Sequence, residues 1–126
     1  MLENLIRHYE SVEPSGVKCW FYAGKITDFP QDGGGCIKYG NKQIAVFNFS
    51  RRSTWYACQN LCPHQLEMVL SRGMIGDANG AAKVACPLHK KTFSLEDGRS
   101  LNGEDYKIAV YPVKIDEENV YIGFSE

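Results

Sequence analysis

No surplus of positive charge marks this 126-residue sequence: 14 Lys and Arg stand against 15 Asp and Glu, a formal charge of −1. Nucleic-acid binding draws on such a surplus to neutralise phosphates, so DNA and RNA are not expected partners. Long apolar runs are missing as well. Nothing approaches the roughly 18 consecutive apolar residues of a membrane span, and Met1 to His8 contain no long apolar core of a secretory leader. The expected location is cytoplasmic, with no membrane partner. Neither G-x-G-x-x-G nor a Walker sequence occurs, and Gly33-Gly34-Gly35 leads into Cys36-Ile37-Lys38 with no helix-opening pattern. Nicotinamide or flavin chemistry must be carried elsewhere. An even set of cysteines is also lacking. Five of them (Cys19, Cys36, Cys58, Cys62, Cys86) in a chain expected to meet reducing conditions fit a disulfide framework poorly and direct attention to metal ligation.

What the chain does have is 44% hydrophobic residues, enough for one domain over 1–126 that hides roughly two-thirds of its unfolded surface. Leu2, Leu5, Ile6 and Tyr9 recur at helical spacing and predict a short amphipathic stretch, which Pro14, Ser15 and Gly16 interrupt. Strands are predicted over 17–23, 43–49, 54–58, 107–113 and 120–124, short segments rich in β-branched and aromatic residues and bounded by turn formers. Tyr39-Gly40-Asn41-Lys42 reads as a hairpin tip. Pro112 cannot donate to a ladder, so its strand belongs at an edge or a bend. Between Asn60 and Gly103 the texture changes, with Pro63, Gly73, Gly76, Asn79-Gly80, Pro87 and Asp97-Gly98 punctuating short apolar stretches. Loops around a site are expected there, on a mildly basic face. The fold class expected is all-β with small additions.

Three histidines occur in the whole sequence, and two of them sit in matched pairs with cysteine: Cys62-Pro63-His64 and Cys86-Pro87-Leu88-His89. Each pair contains a proline that stiffens its turn, so two loops can each present one thiolate and one imidazole to a common centre. Two cysteines for one iron and two histidines for the other is the donor set of a Rieske-type [2Fe-2S] centre. Structural zinc is the alternative, since Cys2His2 also completes a tetrahedral site. Zinc fingers group a Cys pair and then a His pair, whereas both loops here are mixed, which favours the two-iron centre. Cys58 is better explained as apolar filler than as a spare ligand. Cys19, Cys36 and His8 lack a partner of the other type and are expected to be structural or exposed. Trp20, Tyr22, Phe47, Phe49 and Trp55 are expected in the core, and Phe93 beneath the second loop.

These residues resemble the Rieske iron-sulfur domains, whose pattern is C-x-H, a spacer, then C-x-x-H followed by a phenylalanine and a glycine. Cys62 to His64, Cys86 to His89, Phe93 and Asp97-Gly98 match in order, and the resemblance extends from about Trp20 to Ile122. It implies an antiparallel β-sandwich or barrel base with a small cluster-binding subdomain at about 60–98, and a [2Fe-2S] cluster held by Cys62, His64, Cys86 and His89. Two departures are a spacer of 21 residues between His64 and Cys86, and Lys90 where many members have glycine. The blocks Leu70 to Asp77, Lys83 to Phe93 and Tyr111 to Lys114 are more specific, and look like the small subunits of NAD(P)H-dependent assimilatory nitrite reductases. That resemblance implies a large partner subunit holding flavin, iron-sulfur cluster and sirohaem, which reduces nitrite to ammonium. The small chain would then relay electrons at the lower end of the Rieske potential range and would not catalyse alone. The outer ring nitrogens of His64 and His89 would face solvent, and Lys90 and Lys91 could steer an acidic partner. A stand-alone Rieske-type ferredoxin serving an oxygenase is the competing expectation, and a zinc-stabilised interaction module is a third.

Overall fold

The structure is a computed structural model that describes residues 9–64, 66–88 and 90–126. Most of the predicted amphipathic stretch lies outside the described residues; of its pattern Tyr9 is described, and its side chain is buried.

Twelve short strands follow one another among the described residues: β1 (Cys19–Lys25), β2 (Gly33–Tyr39), β3 (Lys42–Phe49), β4 (Thr54–Gln59), β5 (Leu61–Cys62), β6 (Glu67–Met68), β7 (Met74–Ala78), β8 (Ala81–Ala85), β9 (Thr92–Ser94), β10 (Val110–Tyr111), β11 (Val113–Asp116) and β12 (Asn119–Phe124). The helical elements described are single 3-10 turns, Pro14–Gly16, Ile26–Asp28 and Leu70–Arg72. Every strand pairing is antiparallel. The fold is therefore all-β, as the residue pattern predicts.

Two sheets make the base, β1-β12-β11 and β10-β4-β3-β2. They share one core, in which Ile44, Val46 and Ala57 meet Val120, Ile122 and Phe124. Strand β3 is buried on both faces. Its alternate residues Ala45, Phe47 and Phe49 point into a second core with Cys62, Leu70, Val84, Cys86 and Phe93. The nearly unbroken apolar run from Ile44 to Phe49 is the sequence signature of such a strand. Burying a side chain like Phe47 or Phe93 stabilises by roughly 1.5–3 kcal/mol, so the site-bearing segment is fastened to the base through β3 itself.

The chain passes between the base sheets at Pro112, which separates edge strand β10 from edge strand β11. Proline is tolerated there because no ladder donor is needed at the switch. Two segments differ from expectation. The Gly33–Gly35 stretch is the start of β2, and a Cβ at Gly34 would lie 2.5 Å from the Ser71 carbonyl and 2.6 Å from the Phe47 ring. Three of its seven residues are glycines, which leaves little side-chain alternation to read. The supposed loop region carries β5 to β9, including a hairpin whose Asn79-Gly80 corner has φ of 53° and 88°. Positive φ at both corner positions matches the twist of the flanking strands. Its arms are rich in Ala and Gly, weak strand formers, which hid them. Among the aromatics expected in the core, Phe47 and Phe49 are buried, while Tyr22 is 49% exposed. Trp20 is half-buried under the Lys114 ammonium, 4.8 Å from its ring centre.

Candidate metal centre

Cys62 and Cys86 open two turns of one form. Cys62 is paired in register with Glu67, and the Leu66 N–H donates to the Cys62 carbonyl at 2.8 Å. In the second turn the Cys86 N–H donates to the Lys91 carbonyl at 2.7 Å, and the Lys90 N–H donates to the Cys86 carbonyl at 2.9 Å. The fifth residue of each turn is left-handed, Leu66 at φ 57° and Lys90 at φ 58°. Glycine adopts that conformation freely whereas other residues pay roughly 1–2 kcal/mol. This is a physical reason for glycine where this chain has Lys90.

Both thiols are buried, at 1% and 2% exposure, and no disulfide joins any of the five cysteines. They lie in one apolar cluster with Leu70, Val84, Phe93 and Ile108. His64 is half-buried, and its Nδ1 is turned inward out of solvent. Cys62 and Cys86 thus share the second core, and His64 borders it through the ring of Tyr106, which packs against that core. His89 lies outside the described residues, as does Gln65. Among the described residues no group of three Cys, His, Asp or Glu side chains converges on a point fit for a single ion. A two-iron group divides its four ligands into two pairs and asks for no such convergence. Two buried soft sulfurs and an inward imidazole nitrogen fit a group of mixed ligation, which Cys62, Cys86 and His64 could hold together with His89.

Cys58 stands apart. It is fully buried in β4, and burial pushes its thiol pKa well above the ordinary value, so it stays a neutral apolar filler. Cys19 is half-buried and Cys36 exposed.

Residues that spacing did not single out hold the first turn. Gln59 and Asn60 are both 2% exposed. The Gln59 side-chain amide donates to the Leu61 carbonyl at 2.7 Å and accepts from the Ala109 N–H at 2.7 Å. Asn60 donates to Gln43 Oε1 at 3.0 Å and accepts from the Ser71 N–H at 2.7 Å. A buried amide with both ends satisfied fixes its surroundings, and these two precede Leu61-Cys62. Their partners Gln43, Ser71 and Ala109 lie 11 to 50 residues away, so spacing alone does not mark them.

A third segment closes on the site. The Leu101 N–H donates to the Thr92 carbonyl, and the Thr92 N–H donates to Asn102 Oδ1. The Lys91 ammonium lies 2.6 Å from the Glu104 carboxylate. Tyr106 then sets its ring 6.3 Å from that of His64 and 6.0 Å from that of Phe93. Burial, then the Glu104 carboxylate, and then the Cys62 and Cys86 thiols push the Tyr106 pKa up to about 12. At the foot of this segment Gly98 has φ +84°, and a Cβ there would lie 2.0 Å from the Ile108 carbonyl oxygen. The glycine of the Asp97-Gly98 pair is thus required by both conformation and space.

An antiparallel β base carrying two Cys-Pro turns of matching form is the architecture of a small iron-sulfur electron carrier. A family model described as Rieske-like [2Fe-2S] domain matches residues 19–123. The nitrite reductase (NADH) small subunit of Escherichia coli K12 is 32% identical over 96 residues, covering 76% of this chain and 89% of that protein. The nitrite reductase [NAD(P)H] large subunit of Klebsiella oxytoca is 39% identical over 104 residues, covering 82% of this chain and 11% of that protein. The solved structure of the E. coli protein NirD superposes with a TM-score of 0.76 at 30% identity, covering 86% of this chain and 98% of that one. The chain belongs to the Rieske-like [2Fe-2S] domain family and, within it, to the group of nitrite reductase small subunits. It spans about a tenth of the length of the longer relatives it matches.

Proposed function

We propose that the chain is the electron-relaying small subunit of an NAD(P)H-dependent nitrite reductase, serving the reduction of nitrite to ammonium in nitrate assimilation. The observation that carries this is the match along 89% of the E. coli small subunit, joined to the retention of both Cys-Pro turns. Cys62 and Cys86 would hold one iron of the cluster, and His64 and His89 the other. When bound, the cluster supplies one-electron transfer. The isolated chain is not catalytic. Residues 60–98 form its cluster-binding subdomain within a single domain over 1–126, and the complex is cytoplasmic.

The chain's own residues perform three tasks. Leu70, Val84, Phe93 and Ile108 surround the thiols with apolar side chains and keep water from the sulfurs. Gln59 and Asn60 hold the backbone that aims Cys62. The exposed side chains of Leu88 and Lys90 lie in the second turn, where a partner can reach them. That partner is the large subunit, which holds flavin and sirohaem. In Klebsiella oxytoca a stretch similar to this chain lies within the large-subunit polypeptide itself, and this supports a direct association.

Affinity purification of the tagged chain from its native cell extract under anaerobic conditions tests the proposal. Co-purification of a sirohaem protein with NAD(P)H-dependent nitrite reductase activity is expected. Recovery with an oxygenase in its place would overturn it in favour of a stand-alone ferredoxin.

A further inference from the structure

Strand β11 forms one edge of the sheet β1-β12-β11, and among the described residues no further strand is hydrogen-bonded to its outer side. Its ladder shows which backbone groups face outward. The Gly123 N–H donates to the Pro112 carbonyl at 2.9 Å, and from there the register pairs Val113 with Ile122, Lys114 with Tyr121, Ile115 with Val120 and Asp116 with Asn119. Hydrogen-bonded pairs alternate along an antiparallel ladder, so Lys114 and Asp116 turn their backbone groups toward β12. Val113 and Ile115 turn theirs outward. Val113 packs against the base core, whereas Ile115 is 37% exposed and leaves the open position.

The charges on this edge are matched. Lys114 and Asp116 project from the outer face of the sheet, where the Lys114 ammonium lies 4.8 Å from the centre of the Trp20 ring and 5.5 Å from that of Tyr121. Neither Lys114 nor Asp116 has an ion-pair partner among the described residues. Charged side chains on an edge ordinarily keep other strands away. Here they permit one arrangement. When such a strand pairs with its own copy about a two-fold axis, residues of like backbone direction must stand opposite, so the axis falls on a residue. An axis at Lys114 sets two ammonium groups face to face, and one at Asp116 sets two carboxylates face to face. An axis at Ile115 sets Lys114 of each copy opposite Asp116 of the other, and opposite charges at directly facing positions stabilise where like charges destabilise.

We infer that the β11 edge is an interface between two copies of this chain, joined about a two-fold axis at Ile115. The Ile115 N–H of each copy donates to the Ile115 carbonyl of the other, the two Ile115 side chains cover one another, and two Lys114–Asp116 pairs flank them on the outer face. The combined sheet has the order β1-β12-β11-β11-β12-β1. The shared edge is short, so the dimer is weak and reversible. Neither Cys-Pro turn contributes a residue to it, and it forms whether or not the metal centre is filled.

Sedimentation velocity of the full chain over rising concentration tests this, with circular dichroism to establish that each variant is folded. The wild-type chain is expected to pass reversibly from monomer to dimer. Lys114→Asp and Asp116→Lys each set like charges opposite one another and should weaken the dimer roughly tenfold or more. The double reversal, Lys114→Asp with Asp116→Lys, should restore it. Ile115→Pro removes an outward N–H that the β12 ladder does not use, and should leave a folded monomer at every concentration. A wild-type chain that stays monomeric up to about 1 mM overturns the inference. So does a dimer that is indifferent to the single reversals, or one that the double reversal fails to restore.

Discussion

The two Cys-Pro turns share a backbone and differ in what surrounds it. Pro63 is buried, His64 half-buried, and Leu66 packs against the base core beside Met68. In the second turn Pro87 and Lys90 are exposed, and Leu88 shows 51% of its surface. One turn is thus built into the protein and the other is presented outward. The same left-handed residue at the fifth position serves each, which shows that the form of the turn is set by its backbone bonds and its use by its side chains. An electron carrier needs both properties: a rigid hold on its group and a face that a partner can approach.

The largest expected effect erases the difference between the turns. Cys62→Ser or Cys86→Ser should abolish the visible absorbance and the bound iron, because on the proposed ligand assignment each would remove half of the thiolate pair on one iron. Retention of iron by either variant would show that the turns are not joined through one group. Cys58→Ser sharpens the contrast from outside both turns. It buries a hydroxyl in an apolar site and should lower stability by about 1–3 kcal/mol, while iron content per folded chain stays the same. Denaturant titration and iron analysis on one sample separate the two quantities.

The left-handed residues give an intermediate effect of opposite sign. Lys90→Gly relieves the strain without losing packing and should stabilise by about 1 kcal/mol. Leu66→Gly gains the same relief but strips a packed side chain from the base core and should be destabilising. Equal effects at the two positions, measured by urea unfolding, would show that the burial difference has no energetic weight. Smaller still is Leu88→Ala, which should leave stability within about 0.5 kcal/mol yet weaken association with the proposed large-subunit partner. The smallest effect is expected for Lys91→Met. Loss of its ion pair with Glu104 lies at the solvent boundary, so any loss of stability should shrink further at high salt.

Sequence and structure agree best where side chains alternate over several residues. The bodies of β1, β3, β4 and β12 are legible because Trp20, Val46, Tyr56 and Ile122 sit in runs of strand-forming residues. Pro112 announced its edge position. Strand β2 was not legible, since it opens on three glycines, of which Gly34 lets Phe47 and Ser71 approach, and they leave no periodicity behind. Cys62, Cys86 and His64, the described members of the proposed ligand set, stand out by spacing, because ligand chemistry demands particular residue types at short separations. Gln59, Asn60 and Tyr106 were not. Their partners Ala109, Ser71 and His64 are brought to them only by the tertiary fold, and an amide or a phenol carries no spacing signal of its own until its neighbours are known.

Iron and acid-labile sulfide analysis of protein isolated without oxygen, with the electron paramagnetic resonance of the same sample after reduction, tests the central claim most directly. A [2Fe-2S] group held by two thiolates and two imidazoles predicts about two iron and two sulfide per chain and a signal of low average g. Zinc in place of iron with no sulfide, or the spectrum of an all-cysteine cluster, would contradict it.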